Sequence, residues 1–385
     1  MTTVLLTLGR LPKALDLARG FARVGCRVLV ADPFRRHLAG ASRHVARSIQ
    51  VPPPRSGKAA YLAALDTVVA DEGVDLVVPV SEETMHVAHL RDRLAGRARL
   101  FTMPPDHVLA MHDKAGFIRQ GQACGVPVPD THALGTAAAR TMAAARDVVV
   151  KPVSACSGRG VRILRRGAAL PGADPADPAV VQAFLPGRVH SSCTIADAGR
   201  TLATVIYRGT VMSGTVAVAF ERVADQPAIT AWINRFVAAV GWTGFISFDF
   251  IVSATGEVYG IECNPRATSG VHFWEPDSVA QAILDPASAA IRLRPQAELQ
   301  QFYSCLTETQ MALFRRDGFP GHLRRLLTTR DVTWDLRDPA PFLTMTWTSW
   351  PIIAQAIARR ATFGEVATLD VGWYEDAPSP AALAG

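Results

Sequence analysis

Two carboxylates and an amide are the residues of this chain most suited to chemistry, because a hairpin would bring them together. Asp249 lies in the apolar run Phe245–Val252. Glu262 and Asn264 lie at the end of the run Val258–Cys263 and just beyond it. Residues two apart on a strand point to one face, so Glu262 and Asn264 project together while Ile261 and Cys263 face the other way. The segment Ser253-Ala254-Thr255-Gly256 reads as a four-residue hairpin loop, which keeps Asp249 opposite or diagonal to Glu262. This is the donor set of a hard cation such as Mg²⁺, which takes one or two carboxylates and fills its shell with phosphate oxygens. The plain alternative is a solvent-facing hairpin with scattered polar residues. Phe245, Ile246, Phe248, Phe250 and Ile251 argue against it, since a buried Asp–Glu pair is costly without a cation. Arg266, after Pro265, would reach the same phosphates.

A second constellation is Lys151-Pro152-Val153-Ser154-Ala155-Cys156-Ser157-Gly158-Arg159-Gly160-Val161. A strand of valines, Asp147–Lys151, delivers a lysine to a loop of small residues, and Val161–Leu164 resumes as strand. Small residues let backbone N–H groups approach phosphates, and lysine adds a point charge. The GK[ST] ending of a Walker loop is absent. Asp113-Lys114 opens a helix over His112–Cys124, with Asp113 suited to its N-cap or first turn and Gly125 to its stop. Such a lysine is ordinarily just solvated and gains meaning from standing before Lys151. Val180–Phe184 is an apolar strand whose end, Gln182-Ala183-Phe184-Leu185, can serve as an adenine slot or simply as core.

These pieces hang on a regular alternation of elements. Strands at Val4–Leu8, Arg27–Ala31 and Asp75–Val80 alternate with helices at Pro12–Gly25 and Ala59–Glu72. That βαβ rhythm implies a parallel sheet, with ligands beyond the carboxyl ends of its strands. Those ends carry Thr7-Leu8-Gly9-Arg10, Asp32-Pro33 and Ser81-Glu82-Glu83, and Gly9 belongs to no GxGxxG. Ala137–Ala145 reads as a helix and Gly167–Pro178 as a loop. Thr194–Ala196, Leu202–Tyr207 and Thr215–Phe220 read as strands, and Ile229–Val240 is a helix stopped by Gly241.

Bulk properties bound the possibilities. The chain has 385 residues, 49% hydrophobic and 19% charged, with net charge +6. That suits a folded protein of two or three domains acting on anionic small molecules. The basic residues are scattered, so no nucleic-acid partner is expected. Six cysteines form no CxxC pair. With no signal-peptide pattern and no run of about 20 apolar residues, a cytoplasmic setting with reduced thiols is expected.

Read in order, Lys114, Lys151 with its loop ending Arg159-Gly160-Val161, Gln182–Gly187, Asp249 and Ile261-Glu262-Cys263-Asn264-Pro265-Arg266 resemble the ATP-grasp superfamily, over roughly residues 1–285. The flavour is that of carbamoyl-phosphate synthetase, biotin carboxylase and the carboxylate–amine ligases. The resemblance implies an α/β and α+β architecture: an N-terminal parallel βαβ domain (1–105), a two-subdomain ATP-grasp fold with a lid (106–188) and a metal-binding part (189–290), and a C-terminal α-rich extension (291–385). It implies ATP with Mg²⁺, or Mn²⁺, as cofactors. Lys114 and Lys151 would contact the phosphates and the adenine region, and Ser154, Ser157, Gly158, Arg159 and Gly160 would belong to the closing loop. Gln182, Ala183, Phe184 and Leu185 would line the adenine slot. Asp249, Glu262 and Asn264 would hold the metal, and Arg266 would stabilise the phosphoryl group. Departures are Ala155 and Ser157 where glycine is common, Gln182 in place of an acid, and His190 where many members offer Glu to the ribose.

The implied activity is activation of a small-molecule carboxylate as an acyl phosphate for attack by an amine. A thiol or other nucleophile, or a non-catalytic ATP-binding regulatory module, are the alternatives. Arg222, His272, Trp274 and Glu82 are expected in the substrate pocket: an arginine suits bidentate carboxylate binding, the next two follow the metal motif, and Glu82 would hold an amine. For Arg222 and Trp274 the plain readings are surface and core. A homodimer is a fair expectation. Residues 342–360, with Trp347, Trp350 and Arg359-Arg360, would suit a membrane interface, although packing on the core or a subunit partner is the preferred reading.

Overall fold

The computed structural model describes residues 1–154, 160–224, 226–287, 290–315 and 318–373. The N-terminal alternation folds into a five-stranded sheet. Strands β1 (Thr3–Leu6), β2 (Arg27–Asp32), β3 (Arg47–Gln50), β4 (Leu76–Val78) and β5 (Arg99–Leu100) stand in the order β3-β2-β1-β4-β5, all pairs parallel. Parallel strands need crossovers, supplied here by the helices Pro12–Arg23 and Lys58–Glu72. Strand β3 carries no buried side chain, so it lacks the apolar signature by which the others are read.

The strand ends satisfy one another. The backbone N–H groups of Gly9 and Arg10 donate to Asp32 Oδ2, and Arg10 Nη2 pairs with Asp32 Oδ1 at 2.8 Å. Glu83 accepts from the N–H groups of Val80 and Ser81 and from Thr7 Oγ1. Buried polar loops are stable only when paired in this way.

A second, antiparallel sheet follows: β6 (Thr131–Ala133), β7 (Val148–Pro152), β8 (Arg162–Leu164) and β9 (Ala179–Ala183), ordered β6-β9-β7-β8. The helix expected over His112–Cys124 is two helices, Pro105–His112 and Lys114–Ala123. Asp113 breaks the run in an extended conformation (ψ 118°) and caps the second helix by accepting from the Ala115 N–H at 2.8 Å. The cap therefore sets Lys114 at the first helical position.

The third sheet is the largest. It comprises β10 (Arg188–Asp197), β11 (Arg200–Ser213), β12 (Val216–Arg222), β13 (Gly244–Val252), β14 (Val258–Asn264), β15 (Glu298–Gln300) and β16 (Arg330–Asp331), in the order β14-β13-β10-β11-β12-β15-β16. All its pairs are antiparallel except β15 with β16. The helix Pro227–Val240 covers one face through Trp232 and Phe236, which pack on Phe248 and Phe250 of β13. Gly260 of β14 lies directly beneath Trp232. A Cβ there would approach the indole to 2.5 Å, so only glycine admits the helix this close.

The C-terminal residues are mainly helical, with Phe302–Arg315, Phe319–Thr328 and Trp350–Arg359 the longest segments. They are pinned to the N-terminal part by one buried and one half-buried ion pair. Arg19 Nε meets Asp338 Oδ2 at 2.9 Å, and Arg10 Nη1 meets Asp370 Oδ1 at 2.7 Å. Phe342 packs edge-on against Trp334 and near Phe302 and Tyr303, and Ile352 is buried. Trp347 and Trp350 remain 64% and 58% exposed. No helix among the described residues is long and apolar enough to cross a membrane, and the five described cysteines are free.

Asp338 also accepts from Ser42 Oγ at 2.6 Å and from the Arg43 N–H at 3.1 Å. Breaking a buried pair leaves the other charge uncompensated. Asp338→Ala is therefore expected to lower unfolding stability by about 3–5 kcal/mol, read as a shifted urea midpoint. Asp370→Ala, which leaves Arg10 its Asp32 partner, should cost only about 1 kcal/mol.

Candidate active site

The site begins with the register of one hairpin. From the loop end, Val252 pairs with Val258, Ile251 with Tyr259 and Phe250 with Gly260. Ile261 is then an extra residue, and pairing resumes with Asp249 opposite Glu262, Phe248 opposite Cys263 and Ser247 opposite Asn264. Without that bulge, Glu262 would fall opposite Phe248 on the apolar face under Trp232. Because side chains alternate strictly, one inserted residue flips the rest of the strand. The bulge thus turns both Glu262 and Asn264 to the Asp249 side, and the loop is one residue longer than the sequence suggests.

Around Asp249 the donors are close. Ser191 Oγ of β10 donates to Asp249 Oδ1 at 2.6 Å, and Asn264 Nδ2 approaches Asp249 Oδ2 at 3.4 Å. Arg266 Nη2 donates to Asn264 Oδ1 at 3.1 Å and pairs with Glu82 Oε1 at 2.6 Å. Lys114 Nζ stands 3.5 Å from Glu262 Oε1. Lys151, 6% exposed, donates to Gln182 Oε1 at 2.8 Å, and Gln182 Nε2 donates to Thr131 Oγ1 at 3.2 Å.

The charges act on one another. Burial, and then the facing Glu262, push Asp249 up to about 6 against the Ser191 hydrogen bond and the charges of Arg266 and Lys151. Burial lowers Lys151, opposed by Glu262 and Asp249 and assisted by Lys114. Two carboxylates and an amide thus face one another on one side of the hairpin. The all-oxygen donor set fits a hard divalent cation, Mg²⁺ or Mn²⁺, and a cation there would relieve the repulsion that raises Asp249.

A cavity of about 1360 Å³ opens over this group, lined by Asp249, Glu262, Asn264, Arg266, His190 and Glu82 among others. His272 borders it as well. Its Nδ1 donates to Asp16 Oδ2 at 2.7 Å, and Arg294 Nη2 holds the other Asp16 oxygen at 2.8 Å. Burial alone would raise Asp16, but Arg294 and His272 bring it down to about 2.

Other expected site residues stand elsewhere. Trp274 is 1% exposed, belongs to the core and does not line the cavity. It sits one residue past a 3₁₀ turn, Ser269–Phe273, that directs it inward. Arg222 also lies off the cavity. Strand β12 borders it with Val216 and Ala217, whereas Arg222 is at the far end, its N–H bonded to Ala297 O at 2.7 Å. Gln182 meets Lys151 through its side chain, whereas Ala183 stands opposite Val148 and the Phe184 N–H bonds Asp147 O, and none of Gln182, Ala183, Phe184 and Leu185 lines the cavity. Ser154 and Gly160 (φ +72°) flank the small-residue loop. Ser157, Gly158 and Arg159 lie outside the described residues. His190 Nδ1 donates to the Arg188 carbonyl at 3.2 Å, and burial lowers its pKa. Glu82, expected to receive an amine, is engaged by Arg266.

Sequence reading missed two residues. Ser191 reaches Asp249 only through the β10–β13 register. Lys13 opens the first helix after β1, lines the cavity and donates to Ala267 O at 2.7 Å. Burial and the charge of Arg266 lower it to about 7, opposed by Glu82 and Glu83. Its position beyond the carboxyl end of β1 was the available signal.

A parallel sheet followed by two antiparallel sheets, with a cation-type oxygen cluster and two lysines at their junction, defines a nucleotide-phosphate-binding class of fold. Residues 111–270 match the family described as the ATP-grasp domain. Solved structures share the fold. The ADP complex of N5-carboxyaminoimidazole ribonucleotide synthetase aligns with TM-score 0.59 at 15% identity, covering 76% of this chain and 79% of that one. Biotin carboxylase from Campylobacter jejuni aligns with TM-score 0.59 at 16% identity, covering 76% and 73%. L-amino acid ligase from Bacillus licheniformis aligns with TM-score 0.57 at 17% identity, covering 74% and 74%. No curated protein sequence matches the chain significantly.

The raised Asp249 gives a testable pH dependence. A carboxyl whose folded pKa of about 6 exceeds its unfolded value binds extra protons in the native state between those values. The metal-free protein should therefore lose stability as pH rises from about 4 to 6. A cation must displace the Asp249 proton at low pH, so Mg²⁺ affinity at pH 5 should be about tenfold weaker than at pH 7.5. Titration calorimetry checks this, and Asp249→Asn should remove the dependence along with most of the affinity.

Proposed function

We propose that the chain is an ATP- and Mg²⁺-dependent ligase that activates a carboxylate as an acyl phosphate and passes it to an amine, forming an amide or peptide bond. The observation that carries this is the convergence of Asp249, Glu262, Asn264 and Arg266 on one cleft wall, with Lys114 3.5 Å from Glu262 beside it. It is supported by the match of residues 111–270 to the ATP-grasp domain family and by fold neighbours that include an L-amino acid ligase and biotin carboxylase.

In this reading Asp249, Glu262 and Asn264 hold the cation, which when bound neutralises phosphate charge. Lys114 and Lys151 contact the phosphates, and Gln182 orients Lys151 through its 2.8 Å bond. Residues Gln182–Leu185 border the adenine and His190 the ribose. Arg266 offsets charge on the transferred phosphoryl group. Phosphoryl transfer is governed by positioning and electrostatics rather than by covalent help from the protein. Ser154 and Gly160 border the nucleotide, and exclusion of water from the site would protect an acyl phosphate from hydrolysis. Glu82, bound to Arg266 rather than open to an amine, aims the guanidinium.

The test is ADP release screened over carboxylic acids with and without amines, followed by hydroxylamine trapping of the activated acid. Acid-dependent release and a hydroxamate product are expected, and Glu262→Gln and Lys151→Met should each lower kcat/KM by about a hundredfold or more. ATP binding with no turnover on any acid would instead mark a regulatory module.

A further inference from the structure

The cavity over the cation cluster extends well beyond it. Its volume of about 1360 Å³ exceeds the roughly 300–1,000 Å³ of an ordinary ligand cleft, and the hinge strand and both phosphate lysines, Lys114 and Lys151, lie outside its lining. The extra space runs from the metal motif toward the C-terminal helices. Along that path Arg266 is followed by Ala267, whose carbonyl holds Lys13, and Lys13 is followed in space by Pro12 and Leu11 on the same wall. Leu11 packs against the small apolar cluster of Ile352, Val366 and Ala367.

The two halves of the cavity differ in chemistry. The stretch 345–368 gives the lining Met345, Ile353, Ala356, Ile357 and Phe363, and its polar contributions are hydroxyls. None of the side chains it contributes is charged. Arg359 and Arg360, in the same helix and just after it, are exposed and stand off the lining. Met212 and Met311 add apolar surface beside it, although the helix carrying Met311 also brings Glu308, Gln310 and Arg315 to the lining, and methionine adapts to irregular apolar ligands. The opposite half carries Lys13, Arg266 and the oxygen cluster. A sugar or nucleotide lying along the uncharged half would leave its many polar groups to few partners, which is unfavourable, whereas an alkyl chain gains from leaving water.

We infer that the activated acid is a monocarboxylate with an extended apolar chain, its carboxylate at Arg266 and Lys13 and its chain along Leu11, Met345, Ile353 and Ile357. This rests on the ligase reading for the word "activated"; the chain pocket itself can be tested without turnover.

The full-length protein, with Mg²⁺ and a non-hydrolysable ATP analogue, is titrated calorimetrically with acetate, hexanoate and decanoate, and ADP release is measured on the same acids with ATP. Binding is expected at one acid per chain, with Kd and KM falling by at most about fourfold per added methylene until the chain outgrows the wall. Ile357→Glu and Ile353→Gln should each flatten that series, raising the decanoate Kd about tenfold or more. Ile357 is solvent-exposed, so its variant should keep the fold, checked by a wild-type shift in Tm on adding nucleotide. Decanoate binding no tighter than acetate, turnover confined to acids with short polar side chains such as aspartate, or variants that bind decanoate like the wild type would each overturn the inference. Chain-dependent binding without ADP release from any acid would remove the ligase reading and leave the pocket standing.

Discussion

The single inserted residue at Ile261 is the constraint on which the rest of the site depends. Strand alternation leaves no intermediate position for a side chain, and a register offset of one residue exchanges the two faces of β14 completely. Across the unbulged part of the ladder, Gly260 lies opposite Phe250 and under Trp232. Beyond the bulge, Glu262 lies opposite Asp249 and Asn264 opposite Ser247. The sheet therefore anchors the aromatic packing of Trp232, Phe236, Phe248 and Phe250 on one face and a polar cluster on the other. The aromatic side fixes the hairpin rigidly, and that rigidity permits two carboxylates to stand opposite each other despite their repulsion.

The charge arrangement around that pair follows from burial. Asp249 is pushed up by its surroundings and by Glu262, while Lys151 is pushed down by burial and pulled back by the same two acids. Neither sign is comfortable alone. The lysines come from different elements: Lys114 is placed by the cap at Asp113, and Lys151 by the end of β7. Lys114 thereby comes within 3.5 Å of Glu262, and Lys151 bonds Gln182.

Much of this was legible in the residues. The valine strand to Lys151, the cap at Asp113, the helix Ala137–Ala145 and the polar face of Glu262 and Asn264 all follow from local periodicity. What was not legible is whatever long-range register decides. Ser191 reaches Asp249 across 58 residues of sequence, and Arg266 reaches Glu82 from another sheet. The bulge at Ile261 carries no turn residue of its own to announce it. Strand β3 escaped notice because its side chains are largely exposed. Trp274 and Arg222 were placed by nearness in sequence to the metal motif and to a strand end, but nearness along the chain does not fix direction. A 3₁₀ turn sends Trp274 into the core, and Arg222, although paired with the lining Tyr207, is itself off the lining.

Arg266 joins two parts of the chain that sequence reading treats separately. One guanidinium nitrogen contacts both Asn264 and Glu82, so a side chain beyond a parallel strand of the first sheet touches the cation cluster through one residue. Lys13, from the helix after β1, feels the same Arg266 and is lowered by it. The buried Lys13, the half-buried Arg266 and Glu82 thus share one region, with Glu83 close by. Moving the N-terminal sheet away would carry off Glu82 together with Lys13 and strip Arg266 of its carboxylate partner, and breaking such a pair leaves the remaining charge uncompensated. The N-terminal sheet is therefore part of the site rather than an attached module, and the buried Arg19–Asp338 pair extends the same coupling to the C-terminal helices that wall the cavity's uncharged half.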